Sequence, residues 1–267
     1  MKRSITIDNS ITIKPTAKKS KMGGVQIWAI LFWLLIWELA SLWIGQEILL
    51  VSPVTVVVRL SQLVFEKAFW SSILFSFVRI IAGFLIAVIA GVLFAGLSAR
   101  YDRIRELITP AILTIKAIPV ASFIILVLIW VPSRNLSVFI TFTMVMPIFY
   151  LNVLNGINST DPKLLEMCKL FRISAIKKIR YIYVSEVLPL FRSACNIGLG
   201  LCWKAGIAAE VIGIPDGSIG ERLYEAKIYL NTPDLFAWTV VIVVISLLFE
   251  KIFLHLIDAI VHFIERI

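Results

Sequence analysis

Five ionisable side chains stand inside strongly apolar runs of the sequence: Glu38, Arg79, Lys116, Lys204 and Glu210. Each costs roughly 2.5 to 3.5 kcal/mol to place at a bilayer centre on insertion scales, so such residues are kept where they pair across helices, line a polar cavity or reach the headgroups. The chemistry open to them is electrostatic. A cation can replace part of an anion's hydration in a low-dielectric path, and a carboxylate can pair with that cation or pass on a proton. Arg79 and Glu210 fall toward the ends of their runs, where a long side chain can snorkel. Lys204 lies deeper, in "GLGLCWKAGIAAEVIG". It stands six residues before Glu210, which is about 120° around a helix, so the two do not pair along one face. Lys204 therefore faces a cavity or pathway, a group on another helix such as Glu38, or the headgroups. Three cations against two carboxylates suit an anion rather than a cation as the passing solute.

Other chemistries find no support. The sequence contains no GxxxxGK[ST], HExxH or GxSxG, so any nucleotide must be bound by another subunit. Cys168, Cys195 and Cys202 show no CxxC spacing and read as small buried thiols. His255 and His262 lie on one face of the last apolar run, but no third ligand is near, and no metal site is expected.

The elements that must position these charges are membrane-spanning helices. A chain of 267 residues with 60% hydrophobic side chains, 16% charged ones and a mean hydropathy of +0.94 cannot present an ordinary soluble surface. A spanning helix needs about 20 mostly apolar residues. Six runs qualify, at roughly 25–45, 73–99, 107–130, 136–154, 184–212 and 235–263, which predicts an all-α polytopic protein of one membrane domain, residues 25–267. The preceding tail, residues 1–24, is long for a secretory signal and the run after it exceeds a signal's apolar core, so the first span is read as uncleaved. Small residues recur every four positions in two spans, at Gly83, Ala87, Gly91, Ala95 and Ala99 and again at Ala194, Gly198, Cys202 and Gly206. Such stripes let helices approach closely.

Orientation follows from the basic residues. The tail, the second loop and the fourth loop together hold 15 Lys and Arg, against 5 in the loops between them. Positively charged loops stay cytoplasmic, so both termini are predicted to be cytoplasmic. The net charge of +9 is accounted for by this asymmetry and by anionic lipid, and no nucleic-acid partner is implied.

The fourth loop, at about 155–183, contains "DPKLLEMCKLFRISAIKKIR". Leu164, Leu165, Cys168, Phe171, Ala175, Ile176 and Ile179 recur at three and four, with most of the basic residues off that stripe. This predicts an amphipathic helix, capped by Asp161 with Pro162 at its first position. Such a helix can lie on anionic lipid or press its apolar face into a partner's groove.

The loop resembles the cytoplasmic loop of binding-protein-dependent ABC importer permeases, whose pattern is E-A-A, three residues, then Gly, followed later by a hydrophobic-Leu-Pro. Glu166, Met167 and Cys168 stand where E-A-A would be, Arg172 replaces the Gly, and Leu188 and Pro189 match the end. "VSPVTVVVRLSQL" and "SFVRIIAGFLIAVIAGVLFAGLSARYDRIRELITP" resemble segments of the nitrate, sulfonate and taurine branch. "IKAIPVASFIIL" resembles its Pro-containing helix opening, and "MPIFYLNVLNGINSTDPKLLEMCKLF" its approach to the loop, with Pro147, Asn152, Gly156 and Asp161 in register. The resemblance implies a type I importer permease fold in the plasma membrane of a prokaryote. It further implies two permease copies, two separate subunits that bind ATP and Mg, and an external substrate-binding protein, with no cofactor on this chain. Coupling to the ATPase would fall to Asp161, Leu164, Leu165, Glu166, Met167, Cys168, Leu170, Phe171 and Arg172, and the translocation path would draw on Arg79, Lys116, Lys204 and Glu210. The solute would be an oxyanion such as sulfonate, nitrate or taurine. The alternatives are a permease for a thiamine precursor or other small heterocycle, and a secondary transporter driven by an ion gradient.

Overall fold

The computed structural model describes residues 26–265. Residues 1–25, on which the predicted cytoplasmic tail falls, lie outside the described residues, as does the side chain of His262. Eleven α-helices follow one another among the described residues: α1 (Ile27–Ile44), α2 (Pro53–Leu63), α3 (Lys67–Arg100), α4 (Asp102–Ala117), α5 (Val120–Val127), α6 (Ser133–Asn158), α7 (Pro162–Leu170), α8 (Ala175–Lys178), α9 (Val184–Gly213), α10 (Ile219–Ile228) and α11 (Thr232–Glu265). A π-helical turn, Ile179–Tyr183, joins α8 to α9, so that Ala175–Gly213 forms one helical run of 39 residues.

Among the described residues five helices are long and apolar enough to cross a membrane, or six if the bent pair α4 and α5 counts as one span. That pair replaces the straight helix expected over 107–130: the chain turns by 109° between Ala117 and Val120. The cause is Pro119. A proline ring disfavours the helical region for the residue before it, and Ile118 is extended at φ −75, ψ 130.

The centre of the bundle is α3 against α6 against α9. Helix axes approach closely only where a side chain is missing, and the two small-residue stripes supply those gaps. A Cβ at Gly83 would come within 2.6 Å of the Val138 carbonyl oxygen, and one at Gly91 within 2.6 Å of Phe149 Cβ, so α3 lies directly on α6. Gly206 of α9 makes the same approach to Ile80 Cγ1 of α3, also 2.6 Å. Gly83, Ala87, Gly91 and Ala95 are all buried, but the fifth member of the stripe is Ser98 rather than Ala99, which is exposed. A spacing of four drifts around a helix of 3.6 residues per turn, and the seam steps back by one residue to follow.

An aromatic lattice binds α11 to this centre. Phe84 meets Phe149 at 5.8 Å and Phe253 at 5.1 Å, while Phe249 meets Phe77 at 5.7 Å and Trp203 at 6.5 Å, mostly edge to face. Pairs of this geometry contribute about 0.5–1.5 kcal/mol each beyond their buried area. By contrast α1 stands nearly alone, with Ser41 its one buried residue. It is held through the segment after it, where Trp37 Nε1 donates to the Val51 carbonyl at 3.0 Å and Ser41 Oγ to the Leu50 carbonyl at 3.0 Å.

Candidate functional site: a charged helix and an exposed loop

The Asp161 side chain caps α7, accepting from the Lys163 N–H at 2.9 Å, and Pro162 occupies the first helical position. Both follow from residue type: the carboxylate satisfies an orphan N–H, and proline has none to lose. The amphipathic helix expected over 161–180 does not continue past Leu170. Arg172 takes a left-handed conformation at φ 50, the Ile173 N–H reaches back to the Cys168 carbonyl at 2.9 Å, and the Arg172 N–H reaches Lys169 at 3.2 Å. This is a Schellman cap, whose left-handed position favours Gly. The residue that stands in the place of the motif's Gly is thus the one that must turn the chain.

The loop displays apolar side chains that nothing covers. Leu170 and Phe171 are 80% and 70% exposed, with Leu164 and Met167 also exposed on the same short helix. Cys168 is buried, Leu165 is half-buried, and Glu166 is exposed. Four exposed large apolar residues on one short segment mark a surface that meets a partner or a lipid boundary.

The intramembrane charges are dispersed. Lys204 is exposed while its neighbours Trp203 and Ala205 are buried. On the same line of α9 lie Gly200, whose added Cβ would meet nothing within 4 Å, and exposed Asn196. Asn196 and Lys204 are exposed polar side chains about two turns apart on α9, and Asn196 was legible only as a lone amide at a spacing of eight. Lys116 is exposed in the last turn of α4. Arg79 is half-buried, donates through Nε to the Arg134 carbonyl at 2.6 Å and stacks 3.8 Å over the Phe75 ring. Glu210 does not snorkel: it is wholly buried, with Oε2 accepting from Ser76 Oγ at 2.6 Å and from the Gly220 N–H at 3.4 Å.

Among the described residues the ion pairs are Arg59–Asp234, Arg192–Asp258 and Arg222–Glu225, so Lys204 and Glu38 do not pair. The Arg192–Asp258 pair, 2.9 Å from α9 to α11, was not anticipated, although opposite charges inside two apolar runs carry the signal. Arg59 of α2 binds both carboxylate oxygens of Asp234 of α11 through Nε and one terminal nitrogen, and this bond pushes the already high Arg59 pKa further up. The pair walls a cavity of about 250 Å³ with Glu66, Arg222, Glu225 and Asn231, and none of Arg79, Lys116, Lys204 or Glu210 lines it. Lys204 and Asn196 are thus exposed on the single chain and lie outside that cavity. No group of three or more metal-ligating side chains forms among the described residues.

Residues 80–266 match the family described as binding-protein-dependent transport system inner membrane component. A Bacillus subtilis protein named as an aliphatic sulfonates transport permease is 24% identical over 258 residues, covering 95% of this chain and 89% of its own length. The nitrate import permease of Synechococcus elongatus is 26% identical over 205 residues, 72% of each chain. A formylaminopyrimidine transport permease of Halalkalibacterium halodurans is 24% identical over 207 residues, 76% of this chain and 81% of its own. With most of its length matched and with helices apolar enough to cross a membrane, this chain belongs to the binding-protein-dependent inner membrane components, as a multi-pass, type I permease subunit of an ABC importer and not an enzyme.

Proposed function

We propose that this permease forms half of the translocation path for a small oxyanion, such as a sulfonate, nitrate or taurine, with a second copy forming the other half. Two ATP-binding subunits, which hold ATP and Mg, dock on the face that carries α7, and an external binding protein delivers the solute to the opposite face. The termini and α7 are cytoplasmic in this arrangement, in the plasma membrane of a prokaryote. The exposed Leu164, Met167, Leu170 and Phe171 fill a groove on the ATPase, with Asp161 and Arg172 fixing the ends of the helix and Leu165 and Cys168 facing back into the chain. Glu166 supplies a charge at that contact.

The observation that carries the solute's charge is Lys204, exposed, with Asn196 exposed about two turns earlier, and in no ion pair among the described residues. A lysine in that place needs water or an anion before it, because against lipid it would cost roughly 2.5–3.5 kcal/mol. Arg79 and Lys116 add positive potential along the same path. The relatives named for sulfonates and nitrate support the same class. The relative named for formylaminopyrimidine favours the second reading, an uncharged heterocycle and a neutral path.

Lys204→Met separates them. In proteoliposomes holding the whole complex, the variant is expected to lower oxyanion uptake at least tenfold with the complex still recovered, and Lys204→Arg to retain part of the uptake. Normal uptake by Lys204→Met, or relief of its defect by adding Glu38→Gln, would remove the anion role.

A further inference from the structure

Glu210 is the most deeply enclosed charged side chain among the described residues, at 0% exposure in the single chain. What surrounds it is a junction of three helices. The Oε2 oxygen of Glu210, near the end of α9, accepts from Ser76 Oγ of α3 at 2.6 Å. Ser76 Oγ in turn accepts from the Ile219 N–H at 2.9 Å, and the Gly220 N–H lies 3.4 Å from the same carboxylate oxygen. The Glu221 N–H is taken by Ser218 Oγ at 2.9 Å. Three N–H groups of the first turn of α10 are thereby satisfied, two of them by side chains of other helices. A carboxylate at a helix N-terminus also meets the positive end of the helix dipole.

Backbone packing tightens the same point. A Cβ at Gly220 would fall 2.3 Å from both the Cβ and the carbonyl carbon of Glu210, so only glycine lets α10 seat against α9 here. Ser76, Ser218, Ile219 and Glu210 are all at 0% exposure. This is a buried, polar knot that fixes the start of α10 to α3 and to the end of α9.

Its position gives it a consequence. The helical run Ala175–Gly213 begins beside α7 and ends at this knot, and 35 residues from Ala175 to Glu210 span about 50 Å. Beyond the knot α10 leads to Ile228, Tyr229 and Leu230, 56%, 78% and 68% exposed, on the face away from α7. A displacement applied at α7 can reach that face along α9, and the knot passes it on to α10.

We infer that Glu210 is a positioning residue of transport: with Ser76 it locks α10 to the far end of α9, so that the face receiving the solute moves with the face bound to the ATPase. The inference rests on the proposed docking of α7. Glu210 touches no solute in this role and acts through α10.

The test uses the full complex with its ATP-binding subunits in proteoliposomes, with solute-loaded binding protein outside. Basal ATP hydrolysis, hydrolysis stimulated by the loaded binding protein, and uptake are read for Glu210→Ala, Ser76→Ala and Gly220→Ala. All three are expected to leave basal hydrolysis within twofold of the unaltered complex, to abolish most of the stimulation and to lower uptake at least tenfold. Gly220→Ala keeps both the Glu210 carboxyl and the Ser76 hydroxyl but forces α10 off α9, so a shared phenotype ties the defect to the position of α10. Ser76→Ala removes a single hydroxyl and decides the matter if Glu210→Ala fails to assemble. Full stimulation in Ser76→Ala, or a defect confined to Glu210→Ala while Gly220→Ala couples normally, overturns the inference. An unaltered complex whose hydrolysis does not respond to the binding protein would instead refute the importer arrangement on which the inference rests.

Discussion

Gly91 and Gly96 lie five residues apart on α3, and the same substitution at each should have opposite results. At Gly91 an added Cβ would come 2.6 Å from Phe149 Cβ and 3.1 Å from both the Met146 carbonyl oxygen and the Tyr150 nitrogen. Those atoms are backbone or backbone-attached, so no flexible side chain can swing away, and α3 must separate from α6. Overpacking of this kind costs about 1–3 kcal/mol. At Gly96 nothing lies within 4 Å. Both changes remove the same helix-interior glycine penalty, about 0.5–1 kcal/mol, so it cancels in the comparison. Gly91→Ala should therefore be the less stable by about 1–3 kcal/mol. For a domain of this size about 2–4 °C accompanies each kcal/mol, which places the difference in melting temperature at several degrees. The assay is thermal unfolding of the purified permease in one detergent at one scan rate, followed by tryptophan fluorescence. Melting points of the two variants within 1 °C of each other would refute the close α3–α6 seam on which the bundle is built.

Three further outcomes are expected. Glu166→Lys should uncouple transport from ATP hydrolysis while changing stability by no more than about 0.5 kcal/mol, since Glu166 is exposed; a cysteine scan from Leu164 to Phe171 that yields no cross-link to the ATPase would sink the docking of α7. Arg172→Gly should relieve a left-handed residue and steady the Schellman cap by about 1 kcal/mol, read as a roughly fivefold slowing of amide exchange at Ile173; unchanged exchange there would show that the turn carries no strain. Reporter fusions at Asn9 and Ile267 should both read as cytoplasmic, and an external reading at either would break the orientation drawn from 15 against 5 basic residues.

Much of the fold could be read from the sequence because apolar length and four-residue spacing are properties of the chain itself. The stripe from Gly83 to Ala95 and the cap at Asp161 needed only residue type and period. The bend at Pro119 was obscured because a hydropathy window averages over the one residue that stops the helix, even though the proline stands in plain view. Likewise the amphipathic pattern over 161–180 continues smoothly through Arg172, while the backbone there turns left-handed, a feature that side-chain periodicity does not encode. Glu210 misled for a different reason. Its distance from the end of an apolar run resembles that of a snorkelling residue, and only tertiary structure brings Ser76, 134 positions earlier, to within hydrogen-bond distance. For Lys204 the sequence left pairing with Glu38 open, and the absence of that pair among the described ion pairs comes from the helix positions alone.

Uptake of a labelled sulfonate or nitrate into proteoliposomes tests the central claim most directly. The vesicles contain this permease with its ATP-binding subunits, carry no ion gradient, and receive solute-loaded binding protein outside and ATP within. Accumulation that requires ATP, stops with vanadate and falls at least tenfold with Lys204→Met is the expected result. Accumulation without ATP once a proton or sodium gradient is imposed, or uptake indifferent to Lys204, would contradict the account.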